Sequence, residues 1–510
     1  MANEPTIELA VDTIKRNKQA LVFVNSKKRA EKTAEDIAKS LTVKSRQLDE
    51  LSVQLKNALS RPTKQCIRLS ECSRKGVVFH HAGLVSKQRE LIEDNFRSGL
   101  IKIICSTPTL ALGVNLPAFR TIIKDLKRYG IHGYNYIPVM EYHQMCGRAG
   151  RPGKEKFGEA ITEVSTENEQ EKVVENYIKG LPEPILSKLA VEPVLRTYIL
   201  SLIATEFVGN EKQIFDFFRK TFWAFQFGDM REIQNIIVKM LRLLEENNFI
   251  TTEKQDFVSA AELGKEKHNR ITATLLGKRV AELYIDPLSA VDIIATLEKA
   301  MEKEHSDITY LYMICKCLEL RPLLKVKISE FDRIQEQLAR HEEHILDEAS
   351  EFSDDYDLYL DSFKTALVLK DWIEEKDEDY ILEKYNIRPG ELNIKVANSD
   401  WLLYSAEEIA KIIKAKKLLS EIMKLRIRMK YGVREELLAL LKLKKIGRAR
   451  ARKMYNAGLK DIGKVRKVSI ATLAQLIGKN LAIDIKEQLG EKVTGEIKIK
   501  KTGQTTISDY

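Results

Sequence analysis

Cysteine is scarce in this sequence, and long apolar runs are missing. Six of the 510 residues are cysteine, and they do not form the pairs at short repeated spacing that hold a metal ion. We therefore expect reduced, buried cysteines in a cytoplasmic protein without a metal site. No apolar run approaches the ~18 residues that a membrane span requires, and the N-terminal segment lacks the basic, apolar and small-residue order of a signal peptide.

A phosphate-binding loop is missing as well. No stretch follows the pattern G-x-x-x-x-G-K-[ST], whose backbone N–H groups and lysine hold nucleotide phosphates. Residues 347–350 (DEAS) imitate a DExx box, but they lie in an acidic helical stretch and do not follow an apolar strand. These absences exclude a self-contained phosphate-loop hydrolase within the sequence.

Positive charge is concentrated towards the C-terminal end. The net charge is +10, and residues 411–510 hold 26 Lys or Arg against 9 Asp or Glu, a net of +17 that leaves −7 for the other 410 residues. This asymmetry is typical of a nucleic-acid-binding region, although a solvated basic helix face has the same composition.

Residues 1–180 alternate short β-type runs with helical patterns. Strands are predicted at 21–25, 77–80 and 101–106, with helices near 27–40 and 86–98. The alternation predicts an α/β fold whose parallel sheet is covered on both faces. Ligands of such sheets bind beyond the carboxyl ends of the strands.

The rest of the chain predicts mainly helical domains. Residues 181–285 combine helices with a late strand pair, which favours a winged helix, and residues 286–430 predict an all-helical domain. Residues 431–490 predict short helices with tight glycine turns, and the polar residues 491–510 predict a flexible tail.

The most informative motif is QMCGRAGRPG at residues 144–153, which contains Gln144, Gly147, Arg148 and Arg151. Two arginines three residues apart on a helix share one face, and small residues between them let a ligand approach closely. Planar guanidinium groups match the charge on phosphoryl oxygens. The motif therefore predicts phosphate chemistry, with a basic turn that only caps a helix as the alternative.

Two further motifs follow predicted strands. In ICSTPTLALGVNLP at residues 104–117, the hydroxyl of Thr107 suits a phosphate contact and Asn115 suits a ribose hydroxyl. In FHHAGL at residues 79–84, His81 lies at another strand end. Because the histidine pair has no carboxylate or cysteine at ligand spacing, a backbone contact is favoured over a metal site.

With LVFVNSKKRAE at residues 21–31, these runs resemble motifs IV, IVa, V and VI of superfamily 2 helicases, and GVNLPA with QMCGRAGRPG is similar to the superkiller-like branch. Residues 283–290, 367–385 and 444–458 resemble the archaeal Hjm-type repair helicases, which are related to HELQ and POLQ. The resemblance covers nearly the whole chain. It implies a second RecA-like lobe at 1–180, a winged helix at 181–285, a ratchet domain at 286–430 and a helix-hairpin-helix at 431–490.

The resemblance also implies roles for individual residues. Gln144 and Arg148 would face the γ-phosphate of ATP, bound with Mg²⁺, and Arg151 would be the arginine finger. The remaining nucleotide and DNA-backbone candidates in this lobe are Gly113, Asn115, Gly147, Thr107 and His81.

A strand-separating β-hairpin lies between motifs V and VI in the family, where this chain has KDLKRYGIHGYNYIP at residues 124–138. Its aromatic and β-type residues around two glycines fit a hairpin, with a surface loop as the alternative. The candidate hairpin residues are Lys127, Arg128, Tyr129, Tyr134 and Tyr136.

Trp401 occupies the place of the family's base-stacking tryptophan, although a half-buried core tryptophan is the alternative. A basic residue that the family often has two turns upstream is Ile394 here, which leaves the adjacent Lys395 as the candidate. Residues 446–453 (IGRARARK) resemble a helix-hairpin-helix, in which backbone N–H groups bind phosphate. Its DNA-binding candidates are Arg448, Arg450, Arg452 and Lys453.

The resemblance implies an ATP-dependent DNA helicase, 3′ to 5′ by family, that acts on single-stranded, forked or branched DNA in replication-fork repair. In the family the phosphate loop lies in a first RecA-like lobe. We therefore expect the chain to lack that lobe, as a truncation, a split-gene product or a chain with a misassigned start, and to be inactive in ATP hydrolysis alone.

Two other functions remain open on the sequence: a non-enzymatic DNA-binding module with a degenerate lobe, and a fragment of an RNA helicase. A partner is also indicated at the C-terminus. Gln504, Ile507 and Tyr510 resemble a sliding-clamp-binding peptide, with a frayed tail as the alternative.

Overall fold

The computed structural model describes residues 4–59, 61–130, 133–151, 153, 155–189, 191–228, 231–253, 269–347, 353 and 355–491. The chain forms two compact units, Met1–Ile185 with Glu378–Ile394, and Leu186–Asp377 with Lys395–Tyr510. Residues 378–394, expected within the helical domain, therefore group with the α/β unit. Across the described residues, no helix combines the length and apolarity needed to cross a membrane.

The first unit begins with alternating helices and strands. In chain order they are α1 (Pro5–Lys15), β1 (Ala20–Phe23), α2 (Lys27–Lys39), α3 (Arg46–Lys56), α4 (Lys64–Ser73), β2 (Val77–His80), α5 (Ser86–Arg97), β3 (Ile103–Ser106), α6 (Thr109–Gly113), β4 (Arg120–Ile123), β5 (Lys127–Gly130), β6 (Gly133–Tyr136), α7 (Val139–Cys146), β7 (Glu159–Thr162) and α8 (Glu167–Val173).

Five of these strands form one parallel sheet in the order β2-β3-β1-β4-β7. Strands β1 to β4 are buried along their whole length, as expected for a parallel sheet packed on both faces. The predicted α/β fold is confirmed, and β1, β2 and β3 coincide with the three predicted strands. Because the strands are parallel, the residues that follow β1, β2 and β3 lie at one edge of the sheet.

Strands β5 and β6 form a separate antiparallel pair in which Arg128 lies opposite Asn135 and Tyr129 opposite Tyr134. The predicted hairpin is therefore present as a two-stranded ribbon. The chain enters the hairpin after β4 and continues from it into α7. The hairpin therefore lies between motifs V and VI in the sequence.

Helices predominate in the rest of the chain. They and the remaining strands are α9 (Glu192–Ala204), α10 (Glu211–Phe218), α11 (Phe222–Phe227), α12 (Arg231–Glu246), β8 (Ile250–Glu253), β9 (Arg270–Ala273), α13 (Leu275–Leu283), α14 (Pro287–Glu302), α15 (Asp307–Lys316), α16 (Phe331–Ala339), α17 (Tyr356–Ile373), α18 (Glu378–Tyr385), α19 (Pro389–Ile412), α20 (Lys416–Tyr431), α21 (Arg448–Asn456), α22 (Ile462–Lys467), α23 (Ile470–Ile477) and α24 (Lys479–Gln488).

The order of elements in the second unit follows the sequence pattern. Four helices precede the antiparallel pair β8–β9, as predicted for residues 181–285. The short helices from α21 to α24 surround an apolar cluster of their own, which includes Ile446, Met454, Leu473 and Ile485. Gly478, with φ of 92°, joins α23 to α24 in a conformation that glycine adopts readily.

A buried ion pair joins two helices of the second unit. The Nε and Nη2 atoms of Arg196 on α9 each donate to a carboxylate oxygen of Asp286 at 2.5 Å, and both residues are buried. Removing one member of such a pair leaves the other charge buried without its partner.

We expect Asp286→Ala to lower the free energy of unfolding of this unit by about 3–5 kcal/mol. Urea denaturation followed by tryptophan fluorescence measures it, because Trp223, Trp372 and Trp401 all lie in this unit. The control is Glu206→Ala, which breaks the exposed pair with Lys278 and should cost less than about 1 kcal/mol. Equal, small losses in both variants would contradict a structural role for the buried pair.

Candidate functional site

Polar loops meet at the carboxyl edge of the sheet. A cleft of about 500 Å³ lies there, lined by the loops after β1 and β3, by the hairpin and by residues 386–388. Thr107, the predicted contact for the DNA backbone, lines the cleft, and its Oγ1 lies 2.9 Å from the Oγ1 of Thr109. The charged residues that line the cleft are Lys27, Lys28, Arg128, Glu141 and Arg388.

The side chain of His81 does not line the cleft, and the contact predicted for this strand end, which the backbone can make, stays a prediction. The side chain is fully buried, its Nδ1 accepts a hydrogen bond from the Gly83 N–H at 3.1 Å, and its Nε2 lies 3.2 Å from Glu31 Oε1. An accepting Nδ1 requires the proton on Nε2, so a neutral imidazole fits this position. Burial lowers the pKa of His81, against the Glu31 carboxylate, which raises it. His81 therefore holds its loop in place.

Glu31 on α2 is the partner of this histidine and was not predicted. Its carboxylate is 3% exposed and accepts from Gln65 Nε2 at 3.1 Å, Arg68 Nη1 at 2.7 Å and Arg388 Nε at 3.0 Å. Burial alone would raise its pKa, but His81 and Arg388 outweigh burial and lower the pKa to about 2. One carboxylate thus ties together α2, α4, the loop after β2 and the segment before α19.

The arginines of QMCGRAGRPG do not share a helix face, and that prediction is wrong. Helix α7 ends at Cys146 with Gly147 at its C-cap. The chain then bonds to the segment after α6: Ala118 N donates to Arg148 O at 2.9 Å and Gly150 N donates to Ala118 O at 2.7 Å. With φ of 93°, Gly150 takes a left-handed conformation that a helix excludes. Gln144 remains on α7, half-buried.

Arg148 and Arg151 nevertheless donate hydrogen bonds to the same segment, Ala111 to Pro117, which is the end of α6 and the residues that follow it. Arg148 Nε donates to Ala111 O at 3.2 Å and its Nη1 donates to Asn115 Oδ1 at 3.1 Å. Arg151 Nε donates to Pro117 O at 3.1 Å. The structure therefore brings together the residues assigned to the nucleotide, with Gly113 exposed at the end of α6 in the same loop.

Gln19 is a further partner of Arg151 that sequence reasoning missed. Its Oε1 accepts from Arg151 Nη2, and its Nε2 donates to Phe96 O at 2.8 Å and to Ile101 O at 2.5 Å. Burial lowers the pKa of Arg151, while Glu155 raises it. A polar residue directly before the apolar strand β1 was the available signal, because a buried amide there needs partners.

The hairpin presents aromatic rings and cations. Tyr134 is 55% and Tyr136 43% exposed, and Lys127 Nζ lies 4.5 Å from the Tyr136 ring centroid. Arg128 Nη1 donates to Glu141 Oε1 on α7 at 2.7 Å. Asn25 Nδ2, after β1, donates to Lys127 O at 2.9 Å. The hairpin base is therefore attached to the lobe; the side chain of Tyr129 lies outside the described residues.

The ratchet candidates on α19 differ in their exposure. Trp401 is half-buried and donates through Nε1 to Leu283 O at 2.9 Å, so its role as a stacking residue stays a prediction. Lys395 is buried, and its Nζ donates to Leu320 O at 3.0 Å and Pro322 O at 2.7 Å. Two backbone carbonyls hold this lysine away from the surface, and its contact with DNA stays a prediction.

The basic residues at the start of α21 also differ in their partners and in their exposure. Arg452 pairs with the carboxylates of Glu375 and Glu436, and its contact with DNA stays a prediction. Arg448 stacks on Trp372, with its guanidinium carbon 5.0 Å from a ring centroid of Trp372, and donates to Lys376 O. Lys453 and Arg450 are exposed. Gly447 is the N-cap of α21, and phosphate binding at this turn stays a prediction.

The clamp-peptide residues Gln504, Ile507 and Tyr510 lie outside the described residues. That interpretation stays a prediction.

Two stretches match known domain families. Residues 51–153 match the helicase conserved C-terminal domain, and residues 308–432 match domain 4 of archaeal helicases. The sheet, the hairpin and the paired motif loops lie within or beside the first match. The fold and these matches define a superfamily 2 DNA helicase.

Curated relatives place the chain in one family within this class. The protein of Methanococcus vannielii named ATP-dependent DNA helicase Hel308 is 38% identical over 520 residues, which cover 95% of this chain and 68% of the relative. The protein of the same name from Pyrococcus horikoshii is 39% identical over 508 residues, which cover 99% of this chain and 68% of the relative. The chain belongs to the Hel308 family of ATP-dependent DNA helicases.

The low pKa of Glu31 predicts a specific dependence of stability on pH. A carboxyl whose pKa falls from 4.5 to about 2 on folding adds stability above its unfolded pKa, and this is lost as the pH falls towards 2. The stability difference between the wild type and Glu31→Gln should therefore shrink between pH 6 and pH 3, by on the order of 2 kcal/mol.

Circular dichroism melting at a series of pH values measures that difference. The matched control is Glu50→Gln, which removes an exposed carboxylate from α3. A difference between wild type and Glu31→Gln that stays constant with pH would show that the ionised carboxylate contributes nothing.

Proposed function

We propose that this chain supplies the strand-translocating and strand-separating parts of a 3′ to 5′ DNA helicase that unwinds forked or branched DNA during replication-fork repair. The observation that carries the proposal is the joint binding of Arg148 and Arg151 to the loop Ala111–Pro117, next to the cleft that Thr107 lines. This arrangement connects a phosphate-sensing motif to a DNA-contacting loop through a few hydrogen bonds.

The donors at motif VI fit a nucleoside triphosphate. Gln144 offers an amide, while Arg148 and Arg151 offer planar N–H groups that match phosphate oxygens. In this proposal Arg148 and Gln144 contact the γ-phosphate, Arg151 acts as the arginine finger, and Gly113, Asn115 and Gly147 border the nucleotide. ATP with Mg²⁺ supplies the phosphoryl group whose transfer to water drives movement. The bonds to Gln19 and Pro117 use two of the five N–H groups of the Arg151 guanidinium, so the others can meet phosphate while those bonds persist.

DNA would pass along the carboxyl edge of the sheet. Thr107 and the cations of the cleft suit backbone phosphates, and the exposed Tyr134 and Tyr136 suit the junction where strands part. The helices around β8–β9 would form a winged helix, residues 286–430 a ratchet domain with Trp401, and α21–α24 paired helix-hairpin-helix elements. Arg450 and Lys453 are the exposed cations of that last domain.

Catalysis by the chain alone is expected to be negligible. The sequence contains no phosphate loop, so we propose that residues outside it hold the β- and γ-phosphates. DNA-stimulated ATP hydrolysis should appear when a RecA-like lobe with a phosphate loop is added, and Arg151→Ala should then reduce it by ~10³–10⁵. The exposed Arg46, changed to alanine, is the control. Vigorous hydrolysis by the unsupplemented chain would refute this part of the proposal.

Trp401 tests the ratchet assignment. If its ring stacks on a base, Trp401→Ala should weaken binding to single-stranded DNA by ~1–3 kcal/mol, and Trp401→Phe should recover part of the loss. Fluorescence anisotropy with a labelled oligonucleotide measures both. Phe225→Ala removes an 85% exposed ring from the same unit and is the control. Unchanged affinity per folded molecule, together with a lower melting temperature, would support the core interpretation instead.

A further inference from the structure

The segment before α19 packs directly against the loop after β2. Gly390 N donates to Gly83 O at 3.0 Å. A Cβ at Gly390 would lie 2.4 Å from both Ala82 O and Leu84 O, and a Cβ at Gly83 would lie 2.3 Å from Arg388 Cδ. Contacts this close require glycine at both positions. The two backbone segments therefore form one wall of the cleft.

Arg388 lies on this wall and faces the cleft. Its Nε donates to the buried Glu31 carboxylate at 3.0 Å, and its side chain is 13% exposed. A guanidinium carries five N–H donors in a rigid fork, so the bond through Nε leaves the Nη groups for another acceptor. Within the described residues, Glu31 is the carboxylate that pairs with Arg388.

The charge around Arg388 favours an anion. Lys27, Lys28 and Arg128 line the same cleft, where Glu141 is the acid. Two of these cations already have carboxylate partners, since Arg128 pairs with Glu141 at 2.7 Å and Lys27 pairs with Glu391. With Arg388 paired to Glu31, the four cations face three carboxylates, which leaves a net charge of +1 next to Thr107.

We propose that Arg388 is a phosphate-binding residue for the DNA strand in this cleft, and that Glu31 is a positioning residue that holds its guanidinium there. This inference rests on the proposed function, which places a strand in the cleft. It adds a contact from outside the helicase motifs, contributed by a segment that the sequence pattern assigns to the helical domain.

A salt titration tests the contact. We would measure the affinity of the full chain for a fluorescent oligothymidylate by anisotropy at several salt concentrations. Because each phosphate contact releases counterions, Arg388→Gln should weaken binding about tenfold and reduce the slope of log K against log salt by about one. The control Lys64→Gln removes the same charge from an exposed pair with Glu383 of the same segment, and its slope should match the wild type.

The direction in which Glu31→Gln changes the affinity for DNA shows whether Glu31 positions Arg388 or acts only through its charge. Removing a carboxylate beside an anion site strengthens binding if only charge matters. We expect Glu31→Gln to weaken binding instead, because Arg388 loses its anchor. Stoichiometric titration of the active fraction excludes unfolded molecules from the comparison. Tighter binding by Glu31→Gln would overturn the positioning role.

Gly390→Ala and Lys28→Gln complete the test. Gly390→Ala changes no charge but displaces Arg388 from the wall, so it should lower affinity and slope as Arg388→Gln does. If Lys28→Gln reduces the slope while Arg388→Gln and Gly390→Ala do not, the inference about Arg388 fails and the strand still lies in the cleft. If none of the three changes the slope, the proposed path of the strand fails with it.

Discussion

The carboxylate of Glu31 is almost completely removed from water, and a buried charge persists in a folded protein only when other groups replace its hydration. Arg68, Gln65 and Arg388 do so, with the His81 imidazole beside them. Gln65 and Arg68 come from α4, while His81 and Arg388 come from two other parts of the chain. The loop after β2 and the segment that begins α19 are therefore fixed to α2 by the requirement that one carboxylate be satisfied.

The segments proposed to bind the nucleotide are held together by backbone carbonyls instead of a buried carboxylate. There the guanidinium groups of Arg148 and Arg151 donate to backbone carbonyls of Ala111 and Pro117. A backbone carbonyl is present whatever side chain its residue has. The contact between the two motifs therefore depends on the path of the backbone and not on the side chains of Ala111 and Pro117. The parallel bridge between Ala118 and Ala149 fixes that course. The residues proposed to contact the strand and the nucleotide thus share one segment, α6 and its continuation.

Much of the architecture could be predicted from periodicity and spacing. Short apolar runs separated by amphipathic helices predicted β1, β2 and β3, and the glycines at 130 and 133 predicted the hairpin. These features are local, because a strand or a turn depends on residues within a few positions. Thr107, Asn115 and Arg148 were singled out because loops between strands carry ligand contacts, and their roles stay predictions.

The sequence did not show the partners of charged residues when those partners lie far away in the chain. Lys395 meets the carbonyl of Leu320, 75 residues away, and Arg452 meets Glu375, 77 residues away. The sequence shows where a cation is, but it does not show which carbonyl or carboxylate accepts its hydrogen bonds. Grouping of residues 378–394 with the sheet was missed for the same reason, because it depends on Glu31 and on close backbone contact between two glycines.

The hydrogen bonds of Arg151 give its guanidinium a fixed orientation in this lobe. Its Nε and Nη2 donate to Pro117 and Gln19, and Gln19 is itself held by the carbonyls of Phe96 and Ile101. A guanidinium has five N–H groups, so these two bonds leave donors for a further acceptor. If a phosphate binds there, as proposed, it meets a side chain whose rotamer is already set, and less conformational entropy is lost on binding.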